Sequence, residues 1–264
     1  MESHIANALH RTQPPADKHG ENAKPRRRSG VSGPLMFAIV IAATIFVMSV
    51  FFRVSNISVE GNTHYTDDEI IRAIDIEEGD NLFFFDRFAA VSRVFAKLPY
   101  VEKVTVERQL PNRVIVNIVE SRALAYLQLG DEQWTLDHNC KVLGKAAEGE
   151  TGSLISIEGV SPGTLLIGET MQTAAGDGET VAYLSEVLSQ LQDRELYTET
   201  RSIDFSDLSD VEFTYGDKYT VVLGGSDNIE HKFGMLVSVL GQLKEGDIGI
   251  IDVSDGTTAH FSPN

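Results

Sequence analysis

Seven histidines, one cysteine and a Ser-Asp-Asn tripeptide are the side chains with which this chain could perform covalent or metal chemistry. Ser226-Asp227-Asn228 matches the SDN element of penicillin-recognising serine enzymes, whose chemistry also requires a Ser-x-x-Lys nucleophile and a Lys-Thr-Gly strand. Neither pattern occurs in the chain, so the tripeptide reads as the start of a helix. His4, His10, His19, His64, His138, His231 and His260 are scattered, with no HExxH and no pair at metal-ligand spacing. The lone Cys140 excludes an intrachain disulfide and a multi-cysteine metal site, and its position before Val142-Leu143 reads as an inert thiol at a strand edge. The acidic runs 67–69 and 77–78 fall at a helix start and in a loop, and Gly224-Gly225 lacks the lysine and spacing of a phosphate loop. No nucleophile, base and orienting group can be assembled, so the chain reads as a binding protein without catalysis, metal or cofactor.

What remains is backbone chemistry at the C-terminus. Residues 249–253 are apolar enough for a buried strand, and Asp255-Gly256 makes a turn. Thr257, Thr258, Ala259, His260, Phe261 and Ser262 then form a short strand that ends the sequence and is placed to be a sheet edge. An edge strand leaves a row of N–H and C=O groups unpaired, which is a template for a strand from another chain. The competing reading is a short, solvated edge blunted by Pro263.

The element that positions everything else is residues 35–52, eighteen consecutive residues without a charge. As a helix at ~1.5 Å per residue they reach roughly 27 Å, close to the ~30 Å hydrocarbon core of a bilayer, so they read as one membrane span. A cleaved signal peptide fits less well, because the apolar run is long and no small-x-small cleavage pattern follows it. Of the 22 basic and 39 acidic residues, six and three precede the span, leaving 16 and 36 beyond it and a net charge of −20 there. The basic cluster Arg26, Arg27 and Arg28 just before the span is a topology signal that keeps residues 1–34, polar and proline-interrupted, as a disordered tail in the cytoplasm. The acidic remainder is then extracytoplasmic and, lacking a basic patch, no partner for nucleic acid.

Residues 53–122 spell out a compact unit. A strand at 54–60 ends in Gly61-Asn62; Thr66-Asp-Asp-Glu69 is a capping box before a helix with Ile70, Ile71 and Ile74 inward. Asp86 caps a second helix whose inward residues, by period, are Phe88, Val91, Phe95 and Leu98, and Pro99 stops it. Strands at 101–108 and 114–120 flank the turn 110–113. The Phe83-Phe84-Phe85 run is expected between the two helices. Beyond residue 122, the pattern is mixed: strand-like stretches at 123–129 and 132–136, an amphipathic helix at 180–196, a hairpin at 211–223, and a helix carrying Ile229, Phe233, Leu236, Leu240 and Leu243 on one face.

Phe-Arg-Val-Ser-Asn-Ile-Ser-Val-Glu-Gly-Asn directly after the span, then Tyr65-Thr-Asp-Asp-Glu-Ile-Ile71, then residues 98–120 with Arg-Gln-Leu-Pro-Asn-Arg at their centre, resembles the POTRA domain of the bacterial cell-division family FtsQ/DivIB. The resemblance implies an α+β fold: an N-terminal transmembrane helix, a POTRA domain (β-α-α-β-β) over 53–122, and over 123–264 a C-terminal mixed β domain with two flanking helices, ending in an edge strand. It also implies a single-pass protein of the cell membrane at the division septum, a non-enzymatic divisome scaffold that helps control septal peptidoglycan synthesis. Its partners by resemblance are FtsL and the coiled-coil protein FtsB (DivIC in Gram-positive bacteria), the latter adding a strand at residues 257–262, with other divisome proteins met by the POTRA domain. His260-Phe261 stands where a Gly-Trp pair is common in the family. The 114–120 strand or the 53–60 strand is a further candidate for pairing. The alternative is an anchored domain that binds cell-wall polymer or a secretion substrate, for which the Phe83–85 aromatics are the natural test.

Overall fold

A computed structural model of the protein describes residues 32–147 and 149–263. Arg26, Arg27 and Arg28 lie outside the described residues. The chain divides at Met48/Ser49 into two units, each described by itself. The described residues of the first belong to helix α1, Ser32–Phe51, which runs three residues past the division, carries no charge in its 20 residues and exposes its apolar side chains along its length. At ~1.5 Å per residue it spans ~30 Å, long and apolar enough to cross a membrane. Its one hydroxyl-bearing residue in mid-helix, Thr44, donates to Val40 O at 2.9 Å, so the apolar surface stays unbroken.

The second unit begins with β1 (Asn56–Glu60), α2 (Asp67–Ile74), α3 (Arg87–Lys97), β2 (Val101–Gln109) and β3 (Arg113–Glu120). The three strands order β1-β3-β2, with β1 parallel and β2 antiparallel to β3. The α2 capping box forms as the sequence implies: Glu69 N donates to Thr66 Oγ1 and Thr66 N to Glu69 Oε2. Both helices lie on one sheet face, where Ile70, Ala73, Ile74, Ala90 and Val94 meet Val104, Val106, Val114, Val116 and Ile118.

Three expectations are corrected here. The inward face of α3 is Ala90 and Val94, with Val91 half-buried and Leu98 buried at the cap, while Phe88 is 81% exposed and Phe95 45%. Ile70, Ile74 and Leu82 already fill the space beneath α3, so its close approach accepts alanine and valine and rotates the phenylalanines outward. The Phe83–85 run is not held between the helices: Phe85 is half-buried beneath the Arg108 guanidinium, 4.6 Å from its ring centroid, whereas Phe83 and Phe84 are exposed. Finally, β3 is the central strand, so the 114–120 stretch has a neighbour on each side and no free edge.

Glu120 closes this unit. Its carboxylate accepts from Thr63 N and Oγ1, His64 N and Tyr65 N at 2.6–3.0 Å, tying the β1–α2 loop to the end of β3. Partial burial pushes the carboxyl up, but these donors outweigh it and hold it below the ordinary carboxylate value of 4.5. A depressed folded pKa gives stability that is complete above the ordinary value and is lost as pH falls through the folded one. Glu120→Ala is therefore expected to cost about 1–2 kcal/mol at neutral pH, read by urea unfolding, with the gap to wild type closing in acid; a gap that persists unchanged in acid would contradict this role.

The remaining strands are β4 (Ala125–Leu129), β5 (Glu132–Leu136), β6 (Val142–Lys145), β7 (Ile155–Glu158), β8 (Thr200–Asp204), β9 (Val211–Tyr215), β10 (Tyr219–Gly224), β11 (Gly249–Asp252) and β12 (His260–Pro263). They form one sheet in the order β12-β11-β10-β9-β8-β7-β4-β5-β6. Helices α4 (Gly178–Asp193) and α5 (Ile229–Leu240) are the crossovers of the parallel pairs β7/β8 and β10/β11. Leu184, Val187, Leu188 and Leu191 of α4 and Ile229, Phe233 and Leu236 of α5 are buried against the sheet, with Leu240 and Leu243 packed at the margin. Phe213 and Phe233 stack across the sheet–helix layer at 6.1 Å. The architecture is α+β, with one core per sheet.

Candidate functional site

The last strand owes its place to its neighbours. Gly249 N donates to Lys218 O at 3.1 Å and Val253 N to Val222 O at 3.0 Å, so the odd-numbered residues of β11 turn their backbone groups to β10. The even-numbered ones, Ile250 and Asp252, face the other way and pair with Ser262 and His260. Phe261, opposite Ile251, is in the alternate register position, and its N–H and C=O point out of the sheet. No strand among the described residues lies beyond β12.

The turn before β12 is fixed by one carboxylate. Asp255 accepts from Thr257 N (2.7 Å), Thr258 N (2.8 Å) and Thr258 Oγ1 (2.7 Å). The Thr258 and Thr257 amides, with the Thr258 hydroxyl, hold its carboxyl far below the ordinary range. Thr258 Oγ1 also lies 3.1 Å from His260 Nε2. Ala259 and Phe261 rest on the large core, and the Phe261 ring meets Tyr219 edge to face at 6.3 Å. His260 and Ser262 are exposed.

Of the six residues expected in the final strand, His260, Phe261 and Ser262 lie in β12, Ala259 leads into it, and Thr257 and Thr258 belong to the Asp255 turn. The strand instead takes in Pro263, whose missing N–H removes no bond to β11 from this edge position. Sequence reasoning missed Gly249, where an added Cβ would lie 2.1 Å from Ser262 O. The available signal was a glycine opening an otherwise apolar strand, a mark of close backbone approach.

The other sheet edges differ in cover. At β6, Val142 N donates to Glu169 O and Gly168 N to Val142 O, so the 166–170 loop pairs with the outer side. In the small sheet, β1 and β2 are the outer strands. A cleft of about 420 Å³ beside α4 includes Asn139, Thr170, Thr173 and Asp177 in its lining. The Asp177 carboxylate is engaged by Thr180 Oγ1 and Glu179 N at the helix start, and these hold it below the ordinary carboxylate range. Cys140 is buried, and desolvation, helped by Asp137, raises its thiol far above the ordinary value. Ser226 to Asn228 form the turn into α5, with Asn228 at the cap position in the left-handed region and making no side-chain cap bond. Among the described residues no three His, Cys, Asp or Glu side chains converge on a metal site.

Residues 52–121 match the family described as POTRA domain, FtsQ-type. They are a POTRA domain of the FtsQ type. Over a longer span the chain is 26% identical across 221 residues to the cell division protein DivIB of Clostridium botulinum, covering 83% of this chain and 85% of that one. It is 26% identical across 208 residues to the cell division protein FtsQ of Corynebacterium glutamicum, 76% and 86% of the two chains. Against DivIB of Bacillus subtilis it is 30% identical over 129 residues, 49% of each. The chain is thus a relative of the DivIB and FtsQ cell-division proteins, and its POTRA domain stands directly after a helix that fits a membrane anchor.

Proposed function

We propose that this chain is a non-enzymatic scaffold of the bacterial division machinery, bound to the cell membrane by α1 with its N-terminus in the cytoplasm and residues 53–264 outside. Its C-terminal edge β12 accepts a strand from the coiled-coil partner FtsB, or DivIC in Gram-positive bacteria, in company with FtsL, and through them it helps control septal peptidoglycan synthesis. The POTRA domain meets further divisome proteins. The observation that carries this reading is the outward-facing N–H and C=O of Phe261 on an edge beyond which no strand lies among the described residues. The relatives named DivIB and FtsQ supply the context of cell division, and the basic tail before the apolar helix supports the orientation.

Co-purification with partners at native expression level tests it. Phe261→Pro removes the outward N–H without removing a bond to β11, while Phe261→Leu removes only the ring. Proline is expected to reduce capture of a small single-span coiled-coil protein by at least about tenfold, since a buried acceptor on the incoming strand loses its donor. Leucine is expected to retain capture. Equal capture by both variants and wild type would remove β12 as the docking edge.

A further inference from the structure

The residues that follow α1 are fastened to two loops, and those loops expose most of what is apolar on this end of the POTRA domain. On one side Leu82 N donates to Phe52 O at 2.7 Å, Val54 N donates to Asp80 O at 2.8 Å, and Arg53 pairs with Asn81 in an isolated antiparallel bridge. The Phe52 and Phe83 rings meet edge to face at 5.1 Å. On the other side Ser55 N donates to Asn112 O at 2.9 Å, and Asn112 Nδ2 donates to Ser55 Oγ at 2.7 Å. The 80–88 segment and the 110–113 turn are therefore both held to a stretch that begins one residue after the helix ends.

On these two loops Phe84 is 73% exposed, Leu110 61% and Phe83 37%, and Phe88 in the first turn of α3 is 81% exposed. Large apolar side chains concentrated on one end of a soluble domain mark an interaction surface. Arg53, Arg87 and Arg113 are exposed in the same segments. Residue 53 and segments 80–88 and 110–113 carry Arg53, Arg87 and Arg113 against Asp80 and Asp86, a net of +1 in a region after the span whose net charge is −20. The Asp86 carboxylate is turned into α3, accepting from Phe88 N and Ala89 N. Aromatic and aliphatic side chains mixed with arginine are the composition that settles at a bilayer interface.

Chain length sets the reach. Ser55 is four residues beyond Phe51, so it lies at most ~14 Å from the end of the helix at ~3.5 Å per residue. The polar zone of a bilayer extends ~5–8 Å beyond the hydrocarbon on each side. Phe52, one residue past the helix, is in ring contact with Phe83, so the 80–88 segment is tethered within that reach of the end of the span.

We propose that this face of the POTRA domain docks on the outer surface of the bilayer that α1 crosses. Phe84, Phe88 and Leu110 sit at the boundary of headgroups and acyl chains, and the arginines lie against anionic phosphates. The docking fixes the orientation of the POTRA domain on the membrane. It rests on α1 being a membrane span and is independent of whether β12 receives a partner.

The test uses the full-length chain in nanodiscs containing phosphatidylglycerol, with a single tryptophan introduced as Phe84→Trp in a Trp134→Phe background. Emission that is blue-shifted and quenched by lipids brominated near the headgroup end of the acyl chain is the expected result. Adding Phe88→Asp and Leu110→Asp to the same chain is expected to abolish both the shift and the quenching. Water-like, unquenched emission from a chain that co-migrates with the discs would overturn the docking while leaving the span intact. Failure of the chain to enter the discs would overturn the span, and the docking with it. Quenching that survives the two aspartates would overturn the assignment of this face.

Discussion

Gly249→Ala is expected to detach the last strand while the rest of the sheet stays folded. A Cβ at this position would lie 2.1 Å from Ser262 O, 2.9 Å from Pro263 Cα and 3.0 Å from Ser262 C, all backbone atoms of β12. A backbone cannot swing aside as a long side chain can, so one strand must move. Gly249 is held from the other side by its bond to Lys218 O and by the parallel pairing of β11 with β10, whereas β12 has a single neighbour and only four residues of pairing. The strand with fewer contacts yields. Overpacking of this kind costs about 1–3 kcal/mol where it cannot relax; here the loss of β12 pairing relieves it, giving up the contacts of Ala259 and Phe261 at the margin of the large core while the buried residues under α4 and α5 stay in place. The expected signature is loss of hydrogen-exchange protection at His260 and Ser262, a cooperative unfolding transition that remains, and capture of the coiled-coil partner reduced by tenfold or more. Lost protection with undiminished capture would separate the strand from the docking site and move that site elsewhere on the chain.

The legibility of this fold follows the range of the interactions that made it. The capping box at Thr66 to Glu69, the stop at Pro99 and the apolar stripes of α4 and α5 are local signals and stand where their spacing predicts, although α4 ends at Asp193 and α5 at Leu240, short of residues 196 and 243. The face of α3 was misread because two stripes compete on that helix. Phe88, Val91, Phe95 and Leu98 follow one period and Ala90, Val94 and the same Leu98 another, and packing against the core that holds Ile70, Ile74 and Leu82 selects the second, smaller set. Strand order was equally hidden. Nothing local in Val114 to Glu120 states that β1 returns to pair beside it in parallel, which puts β3 in the centre and leaves β2 at an edge. At the C-terminus the sequence supplied an edge position but blurred its extent, since Thr257 and Thr258 have strand-like side chains and are recruited by the Asp255 carboxylate into a turn.

Lys232 carries the largest stability effect expected for a single polar residue near this edge. Its side chain is fully buried within α5, where a lysine is rarely found. Nζ donates to Gly225 O at 2.8 Å and lies 3.4 Å from Asp227 Oδ1. The stem passes beneath Gly256, where an added Cβ would stand 3.6 Å from Lys232 Cε. One side chain therefore joins the end of β10, the first turns of α5 and the bend that leads into β12. Asp227 is 68% exposed, so solvent screens the ion pair and leaves it worth little; packing of the stem and the bond to Gly225 O are what matter. Lys232→Ala removes both and leaves a cavity, for an expected cost of about 2–4 kcal/mol and a Tm lowered by roughly 5–15 °C. Lys232→Met keeps most of the volume and removes a polar group from the interior, while Tyr183 Oη still donates to Gly225 O at 3.1 Å. Its expected cost is within about 1 kcal/mol. If methionine proves as damaging as alanine, the hydrogen bond to Gly225 O is the dominant contribution and the packing account fails. If methionine is tolerated and alanine also weakens partner capture, the bend before β12 depends on the lysine stem, and the docking edge is positioned from beneath by α5.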